Sequence, residues 1–228
     1  MRGALEDMKP VTKSALVVPM ILPLGAMVAV VAASNYLVQF PVQFQLGSFN
    51  LADLLTWGAF TYPAAFLVTD LTNRKFGPRK ARHVVFVGFI LAVALSVWLA
   101  SPRIAMASGS AFLAAQLLDV TIFNALRRGK WWRAPLVSSI LGSLMDTLLF
   151  FSLAFASVFA VLGANDDFAL GLTPLLGGLG GEAPRWVSWA LGDLAVKLGV
   201  ALFMLVPYKA LRQLLAPRDY NAAVALEN

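Results

Sequence analysis

Apolar residues run in long stretches along this chain, and short polar clusters separate them. Six stretches come close to or exceed the roughly 20 residues that a bilayer-crossing helix needs. They cover Ala15–Gln39, Leu51–Leu71, His83–Ala100, Ala105–Leu126, Leu136–Gly163 and Val187–Leu211. Ser108, Gly109 and Ser110 dilute the fourth, and the fifth is long enough to tilt or to extend past a membrane. The pattern predicts an all-α integral membrane domain of six transmembrane helices over residues 15–211. An N-terminal segment (1–14) and a C-terminal tail (212–228) flank it. Arg2, Lys9 and Lys13 precede the first apolar run, as in a signal peptide. That run continues into Asn35, Tyr36 and Leu37 without a clear cleavage region, so a retained span is expected.

Composition strengthens this reading. Of the 228 residues, 59% are hydrophobic and 13% charged, where a soluble domain carries about 25% charged. The net charge of +6 would suit a nucleic-acid partner if it formed one patch. Instead the Lys and Arg residues fall between the apolar stretches. Arg74, Lys75, Arg79, Lys80 and Arg82 follow the second, and Arg127, Arg128, Lys130 and Arg133 follow the fourth. With the basic residues of the two ends, fifteen of the eighteen fall on one side. Arg103 and Arg185 fall on the other, and Lys197 lies inside the sixth stretch. The positive-inside rule then places both termini in the cytoplasm, and an odd number of spans would scramble the pattern.

Several chemistries are unsupported. The chain has no Cys and one His, His83, so thiolate chemistry and a Cys/His zinc site are not expected. The longest gap, Ala164–Arg185, contains LGGLGGE, but no Gly-Lys-Ser/Thr follows to make a phosphate loop. A flexible external loop is expected there, and the chain itself is not expected to hydrolyse ATP. No cofactor and no metal is expected.

What remains are polar side chains where they cost most. Asp53, Asp70, Asp119, Asp146 and Asp193 lie in or at the ends of the apolar stretches. An aspartate at the centre of a spanning helix costs about 2.5–3.5 kcal/mol on insertion scales, so such residues usually face a bundle interior or a wet cavity. Asp53 sits where it can cap a helix. Asp70 is four residues before Arg74, a spacing that suits an ion pair. Gln116 and Asp119 share a helical face, while Asn124 is less well aligned. Ser138, Gly142 and Asp146 form a small-residue stripe suited to close approach by a helix or a flat ligand, and Phe150 and Phe151 follow it. Asp193 and Lys197 are four apart and can neutralise one another, and Asn35 adds an amide to the first stretch. The third stretch has no interior charge and reads as lipid-facing. A ring of helices around a small polar cavity would produce this distribution.

The blocks SNYLVQFP (34–41), LTWGAFTYPAAFLVTDLTNRKFG (55–77), LDVTIFNALRRGKWWRAP (118–135) and GSLMDTLLFFSLAF (142–155), with DLAVK…VPYKAL (193–211), carry a resemblance. The chain resembles the queuosine-precursor transporter family, also called the vitamin-uptake-transporter or DUF165 group. The resemblance implies a bacterial inner-membrane protein that imports a 7-deazaguanine, chiefly 7-cyano-7-deazaguanine, for queuosine modification of tRNA. It implies a fold similar to the six-helix substrate-binding subunits of energy-coupling-factor transporters, working without an ATPase partner. Asn35, Asp70, Gln116, Asp119, Asn124, Asp146, Asp193 and Lys197 lie in the matching blocks and become the candidate substrate-binding or gating residues. Expected partners are the small-molecule substrate and the lipid bilayer; whether a homo-oligomer forms is left open. Two alternatives stand beside transport by this chain alone. One is a binding subunit that recruits a separate ATPase. The other is a membrane-embedded aspartate enzyme, which the absence of a tight catalytic motif disfavours.

Overall fold

A computed structural model describes residues 13–46, 49–178 and 180–215. The expected terminal segments fall almost wholly outside these residues. Five helices are long and apolar enough to cross a membrane. They belong to α1 (Lys13–Leu37), α4 (Pro78–Leu99), α5 (Pro102–Leu126), α6 (Arg133–Phe155) and α8 (Arg185–Leu215). Each corresponds to one of the predicted stretches.

The second stretch differs. The sequence predicts one continuous helix over Leu51–Leu71. The chain instead makes a 3-10 turn (Leu51–Asp53), a four-residue helix α2 (Gly58–Thr61) and a separate helix α3 (Ala64–Phe76). Pro63 is the N-cap of α3. Proline has no backbone N–H to continue a helical ladder, so a fresh start is favoured there. The backbone freed by this break finds partners in the chain that leaves α1. Val42 donates to the Leu55 carbonyl at 3.0 Å, and Trp57 donates to the Phe40 carbonyl at 3.0 Å. A short hairpin of β1 (Gln45–Leu46) and β2 (Phe49–Asn50) completes this cap.

The fifth stretch also stops short of its expected end. α6 finishes at Phe155, and residues 157–162 tighten into a 3-10 turn. The Gly-rich segment, expected as a flexible loop, is ordered by antiparallel pairing of β3 (Leu172–Pro174) with β4 (Glu182–Pro184), beyond the four-residue helix α7 (Asp167–Leu170). Arg103, at the start of α5, holds this region to the bundle. It is 4% exposed. Its guanidinium donates to the carbonyls of Leu153 (2.9 Å), Ala156 (2.7 Å), Gly163 (3.2 Å) and Ala164 (3.1 Å), and to Asn165 Oδ1 (3.1 Å).

The long helices pack in the order α1, α4, α5, α6, α8, and the broken second segment closes the ring between α8 and α1. α3 lies inside, against α4, α5 and α8. An apolar core of Met27, Val31, Ala65, Val84, Val85, Phe112 and Val120 joins α1, α3, α4 and α5. The small-residue stripe of α6 makes a close approach possible. A Cβ on Gly142 would lie 2.7 Å from the Phe66 ring of α3 and 3.4 Å from the Ala115 carbonyl of α5. The outward face of α4 carries exposed Phe86, Ile90, Val97 and Trp98, as its sequence predicts. Its inward face adds a buried Ser96, which sequence reading had not assigned to the polar interior.

Candidate functional site

Lys197 is the centre of the site. It sits midway along α8 and is 5% exposed. Its Nζ lies 2.6 Å from Asp146 Oδ2 on α6 and 2.5 Å from Asp193 Oδ2, one turn earlier on α8. Thr147 donates to Asp193 Oδ2 at 2.9 Å and lies 3.4 Å from the ammonium. An isolated ammonium at this depth would be prohibitively costly, and two carboxylates with a hydroxyl offset that cost. Counted as ions, the triad carries one net negative charge. Both carboxylates direct Oδ2 to the lysine, and among the described residues Oδ1 of each takes no hydrogen bond.

The triad forms one side of a cavity of about 830 Å³ at the end of the bundle away from the basic loops. That size suits a small organic molecule. One wall is aromatic. Phe150 and Phe151 meet edge-on at 5.0 Å between ring centroids, and Phe155 meets Trp189 edge-on at 5.5 Å. Trp189 is fixed by an Nε1–H bond to the Asp53 carbonyl at 2.8 Å. Farther toward the opening, Arg185 stacks on the Phe168 ring at 3.8 Å. The opposite wall is polar. Asn35 Nδ2 donates to the Val31 carbonyl at 2.9 Å, and Ser96 donates to Asn35 Oδ1 at 3.4 Å. Tyr62 from the broken segment and Ser108 also line the cavity.

The eight candidate residues therefore divide. Asn35, Asp146, Asp193 and Lys197 line the cavity. Asp70, Gln116 and Asp119 do not; they form a second buried cluster between α3, α5 and α6. The Asp70–Arg74 ion pair suggested by spacing does not form. Arg74 instead donates to the Tyr208 hydroxyl at 3.1 Å and to the Arg127 carbonyl at 2.6 Å. Asn124 is exposed near the basic end, with Arg127 as its partner at 3.5 Å. Sequence reasoning missed Tyr62, Ser96, Thr147, Phe155 and Trp189. Each resembles ordinary helix composition until the fold faces it inward. Among the described residues no group of three or more His, Cys, Asp or Glu side chains could hold a metal ion.

A family model described as "Putative vitamin uptake transporter" matches residues 56–101 and 96–211. The chain belongs to this transporter family. It is similar to the "Queuosine precursor transporter" of Escherichia coli K12, with 34% identity over 211 residues, 83% of this chain and 84% of that one. It is 35% identical over 205 residues to the "Probable queuosine precursor transporter" of Haemophilus influenzae, covering 78% and 79% of the two chains. A Bacillus subtilis protein of the same description is 26% identical over 196 residues. No solved structure matches. The matched residues contain the cavity triad, the second cluster and the broken segment after Thr56.

Proposed function

We propose that this transporter imports a queuosine precursor, a 7-deazaguanine such as 7-cyano-7-deazaguanine, and that the cavity beside Lys197 is its binding site. The observation that carries this is a buried triad of two carboxylates and an ammonium beside an aromatic wall, in a chain of this family. A deazaguanine is flat and presents adjacent N–H donors on its pyrimidinone edge. The free Oδ1 atoms of Asp146 and Asp193 are acceptors for those donors. Phe150, Phe151 and Phe155 offer ring faces and edges to the planar heterocycle. Asn35, held by Val31 and Ser96, lies across the cavity for the remaining ring atoms. Lys197 fixes the two carboxylates in place.

The same reading covers the topology. The broken second segment serves as a sixth crossing, with α2 and α3 together replacing one continuous span. On this reading the chain has six crossings, the number expected for a fold similar to energy-coupling-factor binding subunits. The basic ends of α3, α5 and α8 lie at one end of the bundle, which we assign to the cytoplasm of a bacterial inner membrane. The cavity then faces the outside. The chain works as a transporter without enzymatic activity and without an ATPase partner.

The experiment is uptake in a bacterial host that can neither make 7-deazaguanines nor import them. Expression of this chain with supplied 7-cyano-7-deazaguanine should restore queuosine in tRNA. Absence of restoration with the protein present in the membrane rejects the reading. Co-purification of an ATPase required for uptake would replace it with the binding-subunit alternative.

A further inference from the structure

The second buried cluster is unlike the cavity in what surrounds it. α3 turns Thr69, Asp70, Thr72 and Asn73 inward, all of them 2% exposed or less. Asp119 of α5 is buried in the same cluster, at 0% exposed. Ser138 of α6 donates to Asp70 Oδ1 at 3.4 Å. Thr69 Oγ1 lies 3.0 Å from Gln116 Oε1 and 3.4 Å from Asp119 Oδ2. Asp119 Oδ1 is fully buried and has no partner among the described residues. No ammonium or guanidinium forms a salt bridge with either carboxylate among the described residues; Lys197 makes the only pairs. Two bare carboxylates in one cluster this dry would repel strongly. A hydrogen on one of them relieves that repulsion, and the orphaned Asp119 Oδ1 is an unfilled place for it.

Two small voids lie at the cluster, one against Gln116 and one against Asp70. One, of about 10 Å³, is bordered by Gln116, Asp146, Lys197 and Tyr62, so it separates the cluster from the cavity triad. The other, also about 10 Å³, is bordered by Asp70, Ser139 and Tyr208 on the side of the basic end. Each has room for about one water molecule. Along α6, Ser138 and Asp146 are eight residues apart, a rise of roughly 12 Å. The groups around the pair are few. α3 supplies Arg74, and α5 supplies Arg127 at its end. α8 supplies Tyr208 and, across the first void, Lys197, while α6 supplies Asp146. The buried face of α4 carries no charge.

We propose that Asp70 and Asp119 hold one exchangeable proton between them, and that this pair is the proton-coupling site of transport. The coupling role rests on the transport reading above. The proton arrives from the cavity by way of the water-sized void beside Gln116 and binds at Asp119. It leaves from Asp70 through the void beside Tyr208. No bond other than O–H forms or breaks, and the pair returns to its starting state after each passage.

The test uses the full-length protein in proteoliposomes with 7-cyano-7-deazaguanine, comparing wild type with Asp70→Asn and Asp119→Asn. With an imposed pH gradient, acid outside, wild type should accumulate the base and carry protons inward, as read by a trapped pH dye. Both variants should retain gradient-free exchange of labelled base within about threefold, yet lose gradient-driven accumulation by about tenfold or more. Infrared spectra of wild type should show a protonated carboxyl C=O band that shifts in D2O and is changed or lost in each variant. Uptake indifferent to the pH gradient, uptake driven by a sodium gradient instead, or absence of that band overturns the proposal. If wild type neither binds nor exchanges the base, the transport reading fails, and the infrared band alone still decides whether the pair holds a proton. The wild-type measurements decide the matter even where a variant does not fold.

Discussion

The cavity triad and the Asp70–Asp119 pair lie in one bundle, yet they balance charge in opposite ways. At the cavity an ammonium draws in two carboxylates from α6 and α8, and all three keep contact with the open space. In the inner cluster two carboxylates lie among hydroxyls and an amide, and among the described residues no cation forms a salt bridge with either. The first arrangement fixes charge and exposes acceptors; the second sequesters charge and leaves an acceptor unfilled. A cation-anchored network suits holding a polar solute, because its geometry does not depend on a mobile partner. A pair without a cation suits accepting and releasing something small.

Replacing the cation should have the largest effect. Lys197→Met keeps a long unbranched side chain but removes the charge and leaves Asp146 and Asp193 buried against one another. Loss of one partner of a buried pair costs about 3–5 kcal/mol, so a marked fall in melting temperature in detergent and loss of uptake are expected. If Lys197→Met melts and transports like wild type, the triad is not the anchor described here. Asp146→Asn comes next. Asp193 still neutralises the lysine, so folding survives, while one charged acceptor is removed. A charge-assisted hydrogen bond contributes about 1.5–3 kcal/mol, which is roughly a 10- to 100-fold loss of deazaguanine affinity by titration calorimetry. Unchanged affinity would move the ligand away from this carboxylate.

A third change bears on the boundary between the clusters. Gly142 is where Phe66 wedges against α6. Gly142→Val should push α3 from α6 at an overpacking cost of about 1–3 kcal/mol, lowering the melting temperature with both Asp146 and Asp119 intact. A melting temperature equal to wild type would mean the wedge yields without strain. The smallest effect is expected at Asn124, which neither cluster contacts. Asn124→Ala should stay within about 0.5 kcal/mol of wild type, with uptake unchanged. A strong uptake defect there would extend the functional surface to the basic end.

How much of this was legible in the sequence depended on the range of the interaction. The five long helices announce themselves, because about 20 apolar residues have few other stable uses. The second segment did not, because hydropathy measures transfer from water and not backbone continuity. Pro63 was visible, but the hairpin partners that make a break there tolerable are set by the fold. Asp193 and Lys197 could be paired from their spacing alone. Asp146 could not, since 51 residues separate it from Lys197 and only helix packing joins them. Gln116 and Asp119 share a face as periodicity predicted, and Thr69 meets both. Asn124, one residue out of phase, turns to solvent. Arg103 read as a charge on an external loop. It is buried instead, because its partners are mostly backbone carbonyls, which any sequence can supply.

That arginine also constrains how anything gets in. By gripping the chain from Leu153 to Asn165 it makes one lip of the cavity mouth a fixed jamb, tied to the first turn of α5. The other lip, the cap between α1 and Tyr62, is joined by backbone pairings and by the Trp189 bond to the Asp53 carbonyl. A single guanidinium thus does for one side of the doorway what a whole set of pairings does for the other.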